Sequence, residues 1–178
     1  NVIFKYLAGV ENRMFYDNYR VNNKFLITSY KGTKKNDYEK NLKFLDDQNF
    51  LTAKSFKLTG AVTIFEGKAK ISDCQFKKIS SEDAINLINV SSKLDNLIFD
   101  ENSSDSIDID FGDSVINNSD FKNIKGDGID VSGTNVKIQK IKFENIYDKA
   151  ISVGEQSSTI IKNIIAKNAF IGIAVKDG

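Results

Sequence analysis

A repeat of 22 residues constrains this chain more than any other feature of its sequence. From position 85 onward an Ile recurs every 22 residues, and each of these is followed two positions later by a Leu, Ile or Val. The recurring pairs are Ile85/Leu87, Ile107/Ile109, Ile129/Val131, Ile151/Val153 and Ile173/Val175. A similar row at 61–64 precedes them at a spacing of 23. Such a period is typical of solenoids, whose units bury their apolar side only by stacking on one another.

Each repeat contains a second apolar stretch, in which apolar residues recur mostly at every second position, as in a β-strand. Its members are Ile71, Cys74, Phe76 and Ile79, then Leu94, Leu97 and Phe99, then Ile116, Phe121 and Ile124, then Ile138, Ile141, Phe143 and Ile146. In the fifth repeat Ile161, Ile164 and Ala169 take these places with a slip of one residue. A period of two with β-branched and aromatic residues favours short strands. We therefore predict an all-β fold, a right-handed parallel β-helix with coils of about 22 residues.

A leucine-rich-repeat solenoid is the alternative fold, because its period also includes 22 residues. It requires a helical return segment, whereas the return segments here keep a strand period. Asn123 and Asn145 each follow a Phe by two positions, and Asn168 continues the series if the slip is allowed. Asn tolerates the left-handed conformation, so these three residues predict a ladder of turns. The single cysteine, Cys74, lies on the apolar alternation and is expected in the core.

Two regions follow from the repeat. Residues 58–178 are predicted to form regular coils, truncated at the C-terminal end, where an open sheet edge leads us to expect a further domain or chain. Residues 1–57 are predicted to form irregular N-terminal coils or a cap with long loops. Strands are expected there at 2–4, 25–27 and 42–45, and polar loops at 13–20 and 30–40.

Composition excludes several classes of function. The chain contains no His and one Cys, which excludes a Ser-His-Asp triad, a Cys-His pair and a Cys-rich zinc cluster. A net charge of +1 provides no basic field for nucleic acid. No apolar run approaches the length of about 20 residues that a membrane-spanning helix needs.

Charged residues fall into columns beside the recurring Ile. With the second and fourth positions of each row facing inward, the third position is expected to face solvent. That column contains Asn86, Asp108, Asp130 and Ser152, and the residue preceding each row gives Asp83, Asp105, Asp127 and Lys149. The first position is always small (Ala61, Ala84, Ser106, Gly128, Ala150, Gly172), and we expect it to face outward as the floor of a shallow trough. Because stacked carboxylates repel, they are expected to bind a cation, share protons or pair with lysines.

Candidate site residues follow from these columns. The proposed catalytic residues are Asp108, Asp130, Asp127, Lys149 and Glu155. The proposed substrate-binding residues are Asp83, Asn86, Asp105, Asp110, Lys176 and Asp177. Asp108 and Asp130 are also the candidate ligands of Ca²⁺, the cofactor we consider. Since Asp, Asn and Ser are also common turn formers, a purely structural role at the corners stays open for each of them.

The rows resemble a known family at several points. The segments 58–66, 81–86, 105–111, 127–133, 148–155 and 172–178 resemble bacterial right-handed β-helix domains of the pectate-lyase-like superfamily. That group is often found with spore-coat-protein-H-like envelope proteins. The resemblance covers positions 58–178 and implies an extracytoplasmic setting (secreted, periplasmic or cell surface) with a polysaccharide as partner.

The resemblance also implies alternative chemistries. A hydrolase of the superfamily would use Asp108, Asp130 and either Asp105 or Asp127, with one as acid and another activating water. A lyase or epimerase would use Lys149 or Lys176 as base with Ca²⁺ on the carboxylates. No Arg follows Arg20, so an arginine base on this face is not expected. The alternative from another class is a non-catalytic module that binds glycan or Ca²⁺, or a structural part of a larger envelope protein.

Overall fold

The protein is a solenoid of parallel coils. A computed structural model describes residues 2–5, 13–15, 24–29 and 59–176. Five long strands form the coils and three short ones precede them. The strands are β1 (Val2–Lys5), β2 (Arg13–Phe15), β3 (Lys24–Ser29), β4 (Gly60–Lys77), β5 (Asp83–Asp100), β6 (Asp105–Ile124), β7 (Ile129–Val153) and β8 (Ser158–Val175). The described residues contain no helix that is long and apolar enough to cross a membrane.

Adjacent coils pair in register and in parallel. The sheet order is β2-β3-β4-β5-β6-β7-β8, and β1 pairs with β4. Ile85 lies beside Ile107, which lies beside Ile129, as the repeat predicts. The slip in the fifth repeat is confirmed as well, since Ile138 pairs with Ile161 and the register shifts between Ile146 and Lys149. The predicted all-β parallel solenoid is therefore confirmed.

The core is built from columns of identical or similar side chains. Phe76, Phe99, Phe121 and Phe143 stack with ring centroids 4.9, 4.7 and 4.9 Å apart. In β5 to β7 the Ile and Leu columns beside them are fully buried, and Cys74 is buried in the same core, as predicted. Stacking at the inter-strand spacing places each apolar side chain against its equivalents above and below, and this closes a core that one coil cannot close alone.

Left-handed residues mark three corners in each coil. The positions with positive φ form the columns Glu66, Asn89, Phe111, Gly133 and Gln156, then Asp73, Asn96, Asn118, Lys140 and Asn163, then Lys78, Glu101, Asn123, Asn145 and Asn168. The third column confirms the predicted asparagine ladder. Asn145 donates a hydrogen bond to Asn123 at 2.9 Å, and Asn168 donates one to Asn145 at 3.1 Å. These side chains bridge successive coils at the point where the backbone turns.

Lys140 provides a test of these corners. It has a φ of 56° and an exposed side chain, in a column otherwise made of Asp and Asn. Because Asn tolerates the left-handed region better than Lys, Lys140→Asn is expected to raise the free energy of unfolding by about 0.5 to 1 kcal/mol. Urea unfolding would measure this. Lys162→Asn, at an exposed position within β8, is the control and should give no gain; an equal gain in both variants would contradict the explanation.

The N-terminal strands agree in part with expectation. The strands expected at 2–4 and 25–27 are confirmed as β1 and β3. The loop expected at 13–20 begins instead with β2, which pairs antiparallel with β3. The alternation of Arg13–Phe15 is too short to have indicated a strand. The strand expected at 42–45 and the loop at 30–40 lie outside the described residues.

The last described strand, β8, keeps the apolar column positions but leaves them accessible. Ile173 is 50% exposed and Val175 is 70% exposed, although their partners Ile151 and Val153 are buried. Among the described residues no strand pairs with the outer edge of β8. A further domain or chain at this edge stays a prediction.

Candidate functional site: a buried acidic cluster on three coils

The sheet register brings six aspartates onto three adjacent coils. Asp83 lies beside Asp105 in β5 and β6, and Asp108 lies beside Asp130 in β6 and β7. In-register parallel strands place such partners roughly 4.8 Å apart along the solenoid. We call this set the acidic cluster, with the members Asp83, Asp105, Asp108, Asp110, Asp127 and Asp130.

Two members of the cluster bind the backbone of the next coil. Asp105 Oδ1 accepts a hydrogen bond from the backbone N–H of Asp127 at 2.7 Å. Asp127 Oδ1 accepts one from the backbone N–H of Lys149 at 2.9 Å. A side chain at Gly126 would collide with Asp105 Oδ1, so glycine is needed where the two coils meet. Asp105 and Asp127 therefore act as bridges between coils, whatever else they do.

Lys149 provides the only cation that the structure describes in an ion pair with the cluster. Its Nζ lies 3.0 Å from Asp127 Oδ1 and 2.7 Å from Asp148 Oδ2. Burial alone would lower the pKa of Lys149, but the hydrogen bonds that its ammonium donates to Asp148 and Asp127 outweigh burial, so the pKa is raised. Lys149 is consequently a firmly protonated charge partner.

Five carboxyl groups of the cluster have a pKa above that of an ordinary aspartate. Burial raises the pKa of Asp108 to about 8, and neighbouring carboxylates add to the effect, against an opposing hydrogen bond from Asn86. Burial also raises the pKa of Asp83 to about 7 and that of Asp105 to about 6. Burial raises the pKa of Asp127 and Asp110 as well. The raised pKa values and the Lys149 ion pair favour proton sharing and lysine pairing, two of the three expected ways to relieve stacked charge.

Some polar atoms of the cluster have no partner. Asn86 donates from Nδ2 to Asp108 Oδ2 at 2.7 Å, but its Oδ1 is buried without a hydrogen bond. Asp130 Oδ1 and Asp83 Oδ2 are buried and unpartnered in the same way. A buried acceptor without a donor costs free energy, and such atoms are the ones that a bound group or a transferred proton would satisfy.

Three of the carboxylates have the arrangement of a cation site. Oxygens of Asp105, Asp127 and Asp130 lie within 4.8 Å of one another. Asp130 belongs to the pair that the sequence suggested for Ca²⁺, whereas its suggested partner Asp108 is not in this group. Hard carboxylate oxygens and the unpartnered Asp130 Oδ1 fit Ca²⁺.

The other sequence-predicted residues do not join the cluster. Glu155 is exposed in the turn after β7, where its backbone carbonyl accepts from Gly133 N–H at 2.7 Å. Lys176 is exposed at the end of β8, and Asp177 lies outside the described residues. The structure describes no contact between the first two side chains and the acidic cluster.

The expected trough of small residues is wrong. Ala61, Ala84, Ser106, Gly128 and Ala150 are buried, and of the six predicted residues only Gly172, on the last strand, is exposed. A Cβ on Gly128 would lie 2.5 Å from the Phe143 ring. This column therefore points into the core beside the Phe stack, and its residues are small because the rings occupy the space. The alternation of faces fails here because the chain turns between one coil and the next.

The third column is also less exposed than expected. Thr63, Asn86 and Ser152 are buried, and Asp108 and Asp130 are half-buried. The alternation along a strand predicts which face a side chain lies on, but it does not predict which residues pack over that face. The acidic cluster is therefore a largely desolvated site, and this is why the pKa values of the five carboxyls described above are raised.

Sequence reasoning did not single out Phe111. This residue follows Asp110, is 58% exposed and has a φ of 58°. Its ring lies over Gly133, where a Cβ would be 2.6 Å from Phe111 Cδ1. The signal available in the sequence was a Phe in a column that otherwise contains Glu, Asn, Gly and Gln. Phe111 places a flat apolar surface beside the acidic cluster.

The fold places this protein in the class of parallel β-helices, and its candidate site is a desolvated acidic cluster on adjacent coils. Comparison with family models agrees with the fold, since residues 83–178 match the family described as the right-handed β-helix region. This match covers more than half of the chain, and the chain belongs to this family. Neither the curated proteins nor the solved structures gave a match.

Proposed function

We propose that this protein is an extracytoplasmic, polysaccharide-active β-helix that hydrolyses glycosidic bonds at Asp108 and Asp130. The observation that carries the proposal is the pairing of these two carboxyls on adjacent strands, with the pKa of Asp108 raised to about 8. A carboxyl that keeps its proton at neutral pH is what general-acid catalysis of glycoside cleavage needs. The setting outside the cytoplasm and the place in the pectate-lyase-like superfamily are part of the proposal and rest on the resemblance of the repeats.

The proposed reaction assigns one role to each carboxyl. Asp108 donates its proton to the glycosidic oxygen as that bond breaks. A water molecule attacks the anomeric carbon, and Asp130 accepts the proton that the water loses. The products are two shorter glycans, one with a new reducing end, and proton exchange with solvent restores both carboxyls.

The state of Lys149 favours hydrolysis over a lyase or epimerase reaction. A base that abstracts a proton from a sugar carbon must be deprotonated. The two hydrogen bonds that Lys149 donates to Asp148 and Asp127 raise the pKa of Lys149 and hold the amine in its charged form. Lys149 is better suited to balance the charge of Asp127 than to act as a base.

Phe111 is the proposed contact for the sugar ring. Its exposed face lies at the corner next to Asp110, so an apolar face of a sugar could stack on it while polar groups reach the cluster. Flat aromatic rings with a few placed polar groups are typical of ligand sites.

Ca²⁺ fits the same region as a candidate cofactor. Asp105, Asp127 and Asp130 would hold it, with Asp130 contributing its unpartnered oxygen. When bound it would neutralise carboxylates of the cluster or of an acidic substrate. A calcium titration by calorimetry, repeated on Asp130→Asn, would measure this site separately from the hydrolysis.

The second candidate function is a non-catalytic module. It is favoured by the coil-bridging hydrogen bonds of Asp105 and Asp127, which give those residues a structural purpose without any reaction. The two functions differ in one measurable respect, since only the enzyme releases new reducing ends.

The test is release of reducing ends from a panel of neutral and acidic polysaccharides. Asp108→Asn and Asp130→Asn are each expected to lower the rate by a factor of about 100 or more, because each removes an acid or base from the reaction. The rate should also fall as pH rises through about 8, where Asp108 loses its proton. Phe111→Ala is expected to raise KM more than it lowers kcat.

The control is Asp120→Asn on the same strand. Asp120 is exposed and lies 4.0 Å from Lys142 on another face, so its loss should leave the rate unchanged. Full activity in both site variants would overturn the assignment of Asp108 and Asp130. No release by the wild-type protein from any polymer would leave the binding module as the function.

A further inference from the structure

The amide of Asn86 holds one oxygen of the proposed acid. Asn86 lies on β5, and its partner in the next coil is Asp108 of β6. Its Nδ2 donates a hydrogen bond to Asp108 Oδ2 at 2.7 Å, which is the short end of the range for N–H···O bonds. Because Oδ2 is occupied in this way, Oδ1 is the oxygen of Asp108 that can carry a proton to a substrate.

The side chain of Asn86 is too deeply buried to contact a sugar itself. It is 2% exposed, whereas Asp108 is half-buried. Its own Oδ1 is buried without a hydrogen-bond partner. A buried acceptor without a donor costs free energy, so an apolar side chain of similar size would suit this position better if packing were the only requirement. What the amide provides against that cost is the hydrogen bond to Asp108.

Packing on the opposite side fixes the position of Asn86. Its partner in the preceding coil is Thr63 of β4, which is buried as well. Gly60 lies so close that a Cβ there would be 2.8 Å from the Cβ of Asn86 and 2.9 Å from its backbone nitrogen. The stem of the Asn86 side chain therefore cannot shift back toward β4. A side chain that is locked by its neighbours can in turn hold the group to which it donates.

We propose that Asn86 is a positioning residue, which fixes the Asp108 carboxyl in the orientation that protonates the glycosidic oxygen. The inference rests on the proposed hydrolysis and adds to it a residue that does not touch the substrate. Proton transfer depends steeply on the placement of the acid, so a carboxyl that is free to rotate would donate its proton less often. Substrate binding should change little, because Asn86 lies beneath the surface that a sugar can reach.

A bridge that only links two coils is the alternative role for this hydrogen bond, and a matched pair elsewhere in the solenoid separates the two roles. Asn96 donates to Asp73 Oδ1 at 2.7 Å, also between adjacent coils. That pair lies at an exposed corner outside the acidic cluster. Asn96→Ala therefore removes an Asn–Asp bridge of equal length and leaves the proposed acid untouched.

The test compares Asn86→Leu with the wild-type protein on two kinds of substrate. On whichever of xylan, galactan and polygalacturonate the wild type cleaves fastest, kcat is expected to fall at least about tenfold while KM is unchanged. On a nitrophenyl glycoside of an oligosaccharide from that polymer, kcat should change by less than about twofold, because nitrophenolate is a weak base that leaves without a proton from an acid. A merely structural defect would lower both rates alike. Asn96→Ala should match the wild type on both substrates.

Asn86→Ser is the second variant if Asn86→Leu does not fold, since Ser152 occupies the same column of the solenoid. Its hydroxyl is too short to replace the amide, so the same difference between the two substrates is expected. Unchanged kcat on the polymer, an equal fall on both substrates, or an equal fall in Asn96→Ala would overturn the positioning role and leave the hydrolysis standing. No release of reducing ends by the wild-type protein would overturn the hydrolysis, and the positioning role with it.

Discussion

Phe121→Ala is expected to lower the free energy of unfolding by about 3 to 5 kcal/mol. Phe121 is 1% exposed and stacks between Phe99 and Phe143, so the substitution removes ring contacts on both sides and leaves a cavity inside the central coil. Because neighbouring coils hold the rest of the column in place, the cavity cannot close by a local shift. Urea unfolding followed by circular dichroism would measure the loss.

Phe111→Ala is the matched control for that experiment. It removes the same ring from the same strand at a position that is 58% exposed, so the expected loss is within about 1 kcal/mol. If Phe121→Ala does not fold, Phe121→Leu should fold with an intermediate loss. Equal losses at positions 111 and 121 would show that the Phe stack does not contribute as described.

The second large effect is a stability that falls as pH rises from about 4 to 8. In the unfolded chain the aspartates ionise near their ordinary value of 3.8, whereas burial raises the folded-state pKa of Asp83 to about 7 and of Asp108 to about 8. Between these limits the folded state binds more protons than the unfolded state, so raising the pH favours unfolding. The loss is expected to reach about 2 to 5 kcal/mol at pH 8. Urea unfolding at a series of pH values in EDTA would measure it.

Asp108→Asn is expected to recover part of that loss. At pH 8 the variant should be more stable than the wild type by about 2 kcal/mol. Well below the unfolded-state pKa of 3.8 the two should be equal, because the wild-type carboxyl is then neutral in both states. Asp120→Asn, at an exposed position, should change stability little at either pH. A wild-type stability that rises between pH 5 and 8 would contradict the protonated state assigned to the cluster. A residue that costs stability in this way is typical of a functional site.

Much of the fold could be predicted because the repeat is regular. The spacing of Ile85, Ile107 and Ile129 gives the strand register directly, and the positions of Phe99 and Phe121 give the stack. The one-residue slip before Ile161 was visible as well, since the apolar columns resume after it. Each coil of a parallel solenoid has nearly the same conformation and pairs with the next coil in register. The residue pattern of one repeat therefore predicts most of the strand pairing in the whole sheet.

The sequence predicted which residues form the candidate site, but it did not predict how deeply they are buried. Periodicity placed Asp108 beside Asp130, yet it could not reveal that the cluster is desolvated, because burial depends on what packs over a strand. The strand alternation also placed Gly128 on the wrong face, because Gly128 and Ile129, two successive residues, are both buried. Glu155 was predicted from its column, but the turn after β7 leaves it exposed.

The in-register pairing of coils has a consequence for folding. Between the five long strands, β4 to β8, partners are separated by 22 or 23 residues, from Val62/Ile85 to Ile151/Ile173. The relative contact order therefore falls as coils are added, whereas in most β-sheet proteins distant segments must meet before the sheet can close. Each new coil requires closing one loop of constant length at an edge that is already ordered, and the entropic cost of that step is the same for every coil. Folding of such a chain can propagate coil by coil from a single nucleus, at a rate that its total length hardly affects.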